Sequence, residues 1–127
     1  MNLALWIVAG LLAAVMLAGG LTKLFVPKER LAAAPGGGWT GDASTGFVKT
    51  LGAVEVAAAA GVVLPAVTGV APIMVPVTAV CWVLLMGGAI VTHLRRHENI
   101  AITANIAYLA LAAFLAWGRF GPESFTG

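Results

Sequence analysis

Charged side chains are scarce in this sequence. Asp, Glu, Lys and Arg make up 9% of its 127 residues, whereas a soluble domain carries about 25%. So few charges cannot cover a water-facing surface, and 61% of the residues are apolar. The composition therefore excludes a soluble globular protein and predicts one integral membrane domain over residues 1–127. The net charge of +2 is too small to indicate nucleic acid as a partner.

Cysteine and N-terminal basic residues are also lacking. Cys81 is the only cysteine, which excludes an intramolecular disulfide, a CxxC redox pair and a cysteine-based metal site. Residues 1–21 contain no Lys or Arg, so the charged region of a signal peptide is missing. Their apolar run of about 19 residues also exceeds the roughly 7–15 of a signal peptide. We interpret this segment as an uncleaved first helix.

Long apolar segments are what the sequence does contain. Between residues 50 and 91 the only charge is Glu55, and this length suffices for two spans of roughly 20 residues. Pro65, Pro72 and Pro76 mark the division between them. The pattern predicts an all-α fold, a bundle of four transmembrane helices with short loops. We place the helices at about residues 3–26, 46–66, 73–94 and 100–117.

Residues 28–44 separate the first two predicted spans and contain Pro35 followed by three glycines. No strand precedes the glycines and no Gly-Lys-Ser/Thr follows them, so they do not form a phosphate-binding loop. The composition predicts a flexible connector. We expect Trp39, which follows the glycines, at the lipid headgroups.

The basic residues are distributed unevenly between the two sides of the predicted bundle. Four spans place both termini on one side, with the turn between the second and third helices. That side carries Arg119, and the other carries Lys23, Lys28, Arg30, Lys49, Arg95 and Arg96. The positive-inside rule therefore predicts that both termini face outward. Residues 86–99 would then form a hairpin at the cytoplasmic end.

Four polar residues within the predicted spans are candidates for a site, one on each helix: Lys23, Glu55, His93 and Asn105. At about 1.5 Å per residue, Glu55 lies roughly 13 Å from the start of its helix and Asn105 roughly 9 Å from the start of its own. All four therefore fall in the cytoplasmic half. Each has glycine or alanine three or four residues away, which favours positions facing a neighbouring helix. We expect a polar intramembrane pocket with Glu55 as the candidate catalytic residue and Lys23, His93, Asn105 and Tyr108 as candidate ligand-binding residues.

Two interpretations of Glu55 remain open. An ionised glutamate inside a membrane is costly unless it is paired, and protonation is the other solution. Lys23 is the expected partner and Lys49 the alternative. Such a pair either fixes helix register or belongs to a polar cavity for a ligand or a proton.

For the remaining polar and aromatic residues we predict structural or interfacial positions and no metal site. His93 and His97 are four residues apart and could share a helix face, but no carboxylate–histidine cluster completes a zinc site. Bis-histidine haem needs ligands from opposite sides of the ring, so we predict no metal. We expect Arg95 and Arg96 to contact lipid headgroups. Packing or interfacial positions are predicted for Trp6, Trp39, Trp82 and Trp117.

Several short motifs follow one another along the chain. They are Gly20-Leu21-Thr22-Lys23-Leu24, then Gly52-Ala53-Val54-Glu55 with Gly61 and Pro65, then Met86-Gly87-Gly88-Ala89 with His93-Leu94-Arg95-Arg96-His97-Glu98, then Asn105 and Gly118-Arg119. In this order and spacing they resemble the DoxX-like family over nearly the whole chain. The resemblance implies a four-helix protein of the bacterial plasma membrane, connected with oxidoreductase or quinone-linked systems. The founding relatives belong to a thiosulfate:quinone oxidoreductase.

Three functions follow from these observations. The first is a membrane subunit of an oxidoreductase or quinone system, without an intrinsic cofactor, that binds a quinone or another lipophilic ligand. The second is a non-catalytic interaction or scaffold subunit of a membrane complex. The third is a small enzyme that acts on a lipophilic substrate, with Glu55 as acid or base. Expected partners are membrane lipids, other membrane or oxidoreductase subunits, and further copies of the chain.

Overall fold

The computed structural model describes residues 1–124 and is helical throughout that part, with no strand. Its helices are α1 (Asn2–Phe25), α2 (Lys28–Ala33), α3 (Trp39–Asp42), α4 (Thr45–Gly61), α5 (Leu64–Thr68), α6 (Met74–Arg95) and α7 (Asn99–Phe120). Four segments are long and apolar enough to cross a membrane: α1, α4 with α5, α6, and α7. The predicted all-α bundle with four membrane-length helices is confirmed.

The second span is the one that departs from its prediction. We expected one helix over residues 46–66, but α4 ends at Gly61 and α5 begins at Leu64. Pro65 explains the break, because it has no N–H for the Gly61 carbonyl and its ring would clash with that carbonyl. Val62 and Val63 form the interruption.

The four spans pack as two helical hairpins. α1 lies against α4, α6 lies against α7, and the hairpins meet mainly where α1 contacts α7. The largest fully buried side chains are Leu5, Leu12 and Met16 of α1, Val62 after α4, Val75 and Pro76 of α6, and Leu115 of α7. The packed core therefore extends from the ends of the spans near the two termini to the middle of the bundle, while the polar residues of the spans lie toward the other end.

Two polar contacts show which segments share an end. Arg119 donates through Nη1 to Oδ1 of Asn2 at 2.8 Å, which joins the two ends of the described chain on what we call the terminal side. Arg96 donates through Nη1 to Oδ2 of Asp42 at 2.8 Å, which joins the α1–α4 connection to the α6–α7 turn on the opposite loop side. This pairing of ends agrees with the predicted up-and-down order.

The connection between α1 and α4 is more regular than the predicted flexible connector. It contains the two short helices α2 and α3. Thr40 is buried and donates its hydroxyl to the Gly37 carbonyl. The segment folds back beneath the bundle because the ion pair between Asp42 and Arg96 and the burial of Thr40 fix it there.

Candidate functional site

A cavity of about 480 Å³ opens between the spans in the half of the bundle toward the loop side. Its wall is largely apolar, with side chains from α1, α4, α6 and α7 and Trp39 from α3. The polar members of the wall include every catalytic or ligand-binding residue proposed from the sequence: Lys23, Glu55, His93, Asn105 and Tyr108. The structure thus brings together five residues that lie up to 85 positions apart (108 − 23) in the sequence.

Lys23 and Glu55 form an ion pair in the cavity wall. The Lys23 Nζ lies 2.8 Å from Oε2 of Glu55, and the Glu55 side chain is only 7% exposed. The expected partner of Glu55 is therefore the one observed. Lys49, the alternative, instead donates to the Leu24 carbonyl at 2.7 Å, one of the carbonyls left without a helical partner at the end of α1.

Glycines allow this ion pair to form. A Cβ on Gly20 would lie 2.6 Å from the Gly52 carbonyl oxygen, and one on Gly52 would lie 2.9 Å from Cβ of Lys23. Both distances are too short for a side chain, so α1 and α4 approach backbone to backbone here. This close crossing brings the side chains of Lys23 and Glu55, one turn beyond on each helix, within contact distance.

His93 approaches the cavity from the last turn of α6. The residue is buried, and its Nδ1 lies 2.8 Å from Oε1 of Glu98. The backbone explains this contact: His97 adopts the left-handed conformation with φ of 56°, and the Glu98 N–H bonds back to the His93 carbonyl at 3.0 Å. This arrangement is a Schellman turn. It reverses the chain and brings Glu98 back to His93, five residues earlier in the sequence.

Arg96 lies between two carboxylates. Its Nη1 pairs with Asp42 at 2.8 Å and its Nε lies 3.5 Å from Oε1 of Glu98. The lipid-headgroup contact expected of Arg96 stays a prediction beside these two contacts within the protein. Arg95 is exposed at the end of α6, and its lipid contact stays a prediction.

The two histidines are not arranged as a metal site. α6 ends at Arg95, so His97 lies beyond the helix in the turn and is exposed. The shared helix face considered for His93 and His97 is therefore not formed. Within residues 1–124, no group of three or more His, Cys, Asp or Glu side chains is placed to hold a metal ion.

Two tryptophans belong to the cavity wall, where the sequence predicted packing or interfacial roles. Trp82 is buried and Trp39 half-buried, and both line the cavity. A signal for Trp82 was present, since Trp82, Met86, Ala89 and His93 recur at the spacing of one helix face and all line the cavity. Trp39 had no such signal, because its position depends on how the α1–α4 connection folds back.

Comparison with known proteins assigns the chain to a family. No curated protein and no solved structure matches the chain. The model of the DoxX-like family matches residues 7–115, a range that begins in α1, ends in α7 and contains all five polar residues named above. The chain therefore belongs to the DoxX-like family.

Proposed function

We propose that this protein is a membrane subunit linked to an oxidoreductase or quinone system, and that it binds a quinone or another lipophilic ligand in the cavity. The observation that carries this proposal is the cavity itself. A mainly apolar space of about 480 Å³ with a few convergent polar groups is typical of small-molecule sites. Lys23, His93, Asn105 and Tyr108 line it and would hydrogen-bond a polar head group.

The proposal assigns electron transfer to a partner subunit. The ligand would meet that partner through the loop side or through the lipid-facing surface of the bundle. α7 is suited to such contact because only 11% of its most apolar stretch is buried inside the bundle, against 33% for that of α1. The same exposed face would serve for pairing of two copies.

The orientation is part of the proposal. Six Lys and Arg residues lie at or near the loop side and Arg119 near the terminal side, so the positive-inside rule places the loop side and the cavity toward the cytoplasm of a bacterial plasma membrane. A reporter fused to the C-terminus would then be active outside the cytoplasm. Activity of that reporter in the cytoplasm would refute this orientation.

Neighbouring glycines on α6 provide a direct test of the cavity. Gly88 lines it and Gly87 does not, yet a Cβ at either position would meet nothing within 4 Å. A short-chain quinone added to the purified protein should quench the fluorescence of Trp39 and Trp82. Gly88→Leu should fill part of the cavity and weaken this quenching by about tenfold or more in apparent Kd, while Gly87→Leu should leave it unchanged.

Two results would refute ligand binding in the cavity. One is equal quenching in the two glycine variants, because an adventitious quinone dissolved in detergent does not distinguish them. The other is a lipid extract of protein purified from native membranes that contains no quinone or other bound lipophilic molecule. The Trp fluorescence of an unrelated membrane protein in the same detergent is the control for partitioning.

A non-catalytic scaffold subunit is the second candidate. It is favoured by the ion pair of Lys23 and Glu55, which joins α1 to α4 within the bundle. This candidate predicts that the protein co-purifies with a partner complex and that its deletion lowers the amount of that complex. Purification as a lone protein, with no other complex affected by deletion, would exclude it.

A small acid–base enzyme acting on a lipophilic substrate is the third candidate, with Glu55 as the group that exchanges the proton. Glu55→Gln preserves the shape of the side chain and removes this capacity. A variant that folds normally and keeps full cellular function would exclude both this candidate and a proton relay through Glu55.

A further inference from the structure

His93 presents one ring nitrogen to Glu98 and has the other available. Nδ1 lies 2.8 Å from Oε1 of Glu98, and within residues 1–124 no hydrogen-bond partner is found for Nε2. An ionised carboxylate can only accept, so it selects the tautomer in which Nδ1 carries the proton. Nε2 of this buried, cavity-lining residue then has a lone pair with which to bind a proton.

The backbone holds this arrangement in place. His97 is one of two non-glycine residues with positive φ in residues 1–124, a conformation that L side chains rarely adopt. It closes the turn in which the Glu98 N–H bonds to the His93 carbonyl. Arg96 places its Nε 3.5 Å from the same Glu98 oxygen, so the carboxylate lies between the imidazole and the guanidinium.

The other charged groups near the cavity are already paired. Glu55 has the Lys23 ammonium 2.8 Å from its Oε2, and Asp42 has the Arg96 guanidinium 2.8 Å from its Oδ2. These charged atoms therefore have partners within the protein, whereas among the described residues Nε2 of His93 has none. Tyr108 is the remaining titratable residue in the wall.

We propose that His93 is the acid–base residue of the cavity and that Glu98 is its positioning residue. This inference rests on the proposed function only in requiring that a ligand with an exchangeable O–H proton enters the cavity. The ligand O–H bond breaks and its proton binds Nε2, so that the imidazolium is stabilised by the Glu98 carboxylate as in other carboxylate–histidine pairs. The Nε2 proton then passes to water at the mouth of the cavity, which restores the Nδ1–H tautomer, while Glu98 keeps its contact with Nδ1. The reverse sequence delivers a proton to the ligand.

Nitrogen-15 NMR of histidine-labelled protein in detergent tests the pair without any ligand. The chain has two histidines, so His97→Gln assigns the signals. We expect the spectrum of His93 to show a protonated Nδ1 and an unprotonated Nε2. Glu98→Ala should shift His93 toward the Nε2–H tautomer, and Glu98→Gln, which keeps an acceptor but no charge, should give an intermediate spectrum.

The matched control is Glu29→Ala, which removes an exposed carboxylate on α2 and should leave the His93 signals unchanged. Glu98→Asp provides a charge-preserving variant if Glu98→Ala fails to fold. A wild-type His93 with the proton on Nε2 would overturn the proposal. So would an unchanged tautomer in Glu98→Ala.

A second experiment tests the proton transfer itself. The probe is 2-hydroxy-1,4-naphthoquinone, whose ionised form is coloured, and the readout is the rate at which bound probe changes colour after a pH jump. His93→Gln and Glu98→Ala should slow this rate by at least about tenfold, and Glu29→Ala should not. Equal rates in all variants would refute His93 as the acid–base residue. Failure of the probe to bind wild-type protein would count against the proposed function. The NMR experiment would still show whether Glu98 sets the tautomer of His93.

Discussion

Gly20 of α1 and Gly52 of α4 contact each other through their backbones: a Cβ on Gly20 would lie 2.6 Å from the Gly52 carbonyl oxygen. This contact sets the separation of the first two spans and thereby allows Lys23 and Glu55 to pair at 2.8 Å. Helices in lipid gain little from the hydrophobic effect, so such close backbone contact is a principal source of their association. The glycine crossing and the ion pair therefore act as one unit.

Gly20→Ala should destabilise the bundle because the added Cβ forces α1 away from α4. We expect a loss of about 1–3 kcal/mol in the free energy of unfolding, as for other overpacked contacts, measured by thermal or denaturant unfolding in detergent. Gly10→Ala on the same helix is the control, since a Cβ there meets nothing within 4 Å. Equal stability of the two variants would show that α1 and α4 are far enough apart at Gly20 to accommodate a Cβ.

Lys23→Met should destabilise the protein because it leaves the Glu55 carboxylate, 7% exposed, without its ammonium. The expected loss is about 3 kcal/mol, the lower end for a broken buried pair, because the Lys23 side chain retains 18% exposure. Adding Glu55→Met should restore most of the loss, which a double-mutant cycle of unfolding free energies would measure. Lys28→Met is the control, and independent, additive effects of the two substitutions would contradict coupling.

Asp42→Asn should release the α1–α4 connection from the α6–α7 turn while changing stability by less than about 0.5 kcal/mol. The stability effect is small because the Asp42 side chain is 81% exposed. Hydrogen exchange should speed up in residues 28–42 and stay unchanged in α1 and α7. Glu29→Gln serves as a charge-matched control. Unaltered exchange in residues 28–42 would mean that the ion pair with Arg96 does not hold the segment.

His97→Gly should stabilise the α6–α7 turn, because glycine adopts the left-handed conformation without the steric cost borne by His97. We expect a gain of about 1 kcal/mol in unfolding free energy, with the contact between His93 and Glu98 retained. His97→Val, with a branched Cβ at a φ of 56°, should destabilise the turn. If the two variants unfolded alike, the strain at this position would be refuted.

Much of the site was predictable from the sequence. Lys23, Glu55, His93 and Asn105 are polar residues on four different apolar spans, and helix geometry places all four in the same half of the bundle. Polar groups in lipid need partners, so their convergence and the pairing of Glu55 follow from the sequence. Membership of the DoxX-like family, indicated by the ordered motifs, is confirmed by the match over residues 7–115.

Other contacts depended on how the chain turns between helices. Glu98 reaches His93 only because His97 takes a positive φ, which residue preferences argue against. Trp39 reaches the cavity, and Asp42 reaches Arg96, because the α1–α4 connection folds into two short helices where glycine and proline indicated a flexible segment.

The length of the apolar segments and the cost of charge in lipid are enough to predict a four-helix membrane bundle with most of its charges at one end. Which atoms meet, and how closely, depends on the packing of the backbone. The glycine crossing set the 2.8 Å separation of the predicted pair Lys23–Glu55, and the turn after α6 paired His93 with Glu98. Both depend on backbone approach within a fraction of an ångström, which residue type and spacing do not encode.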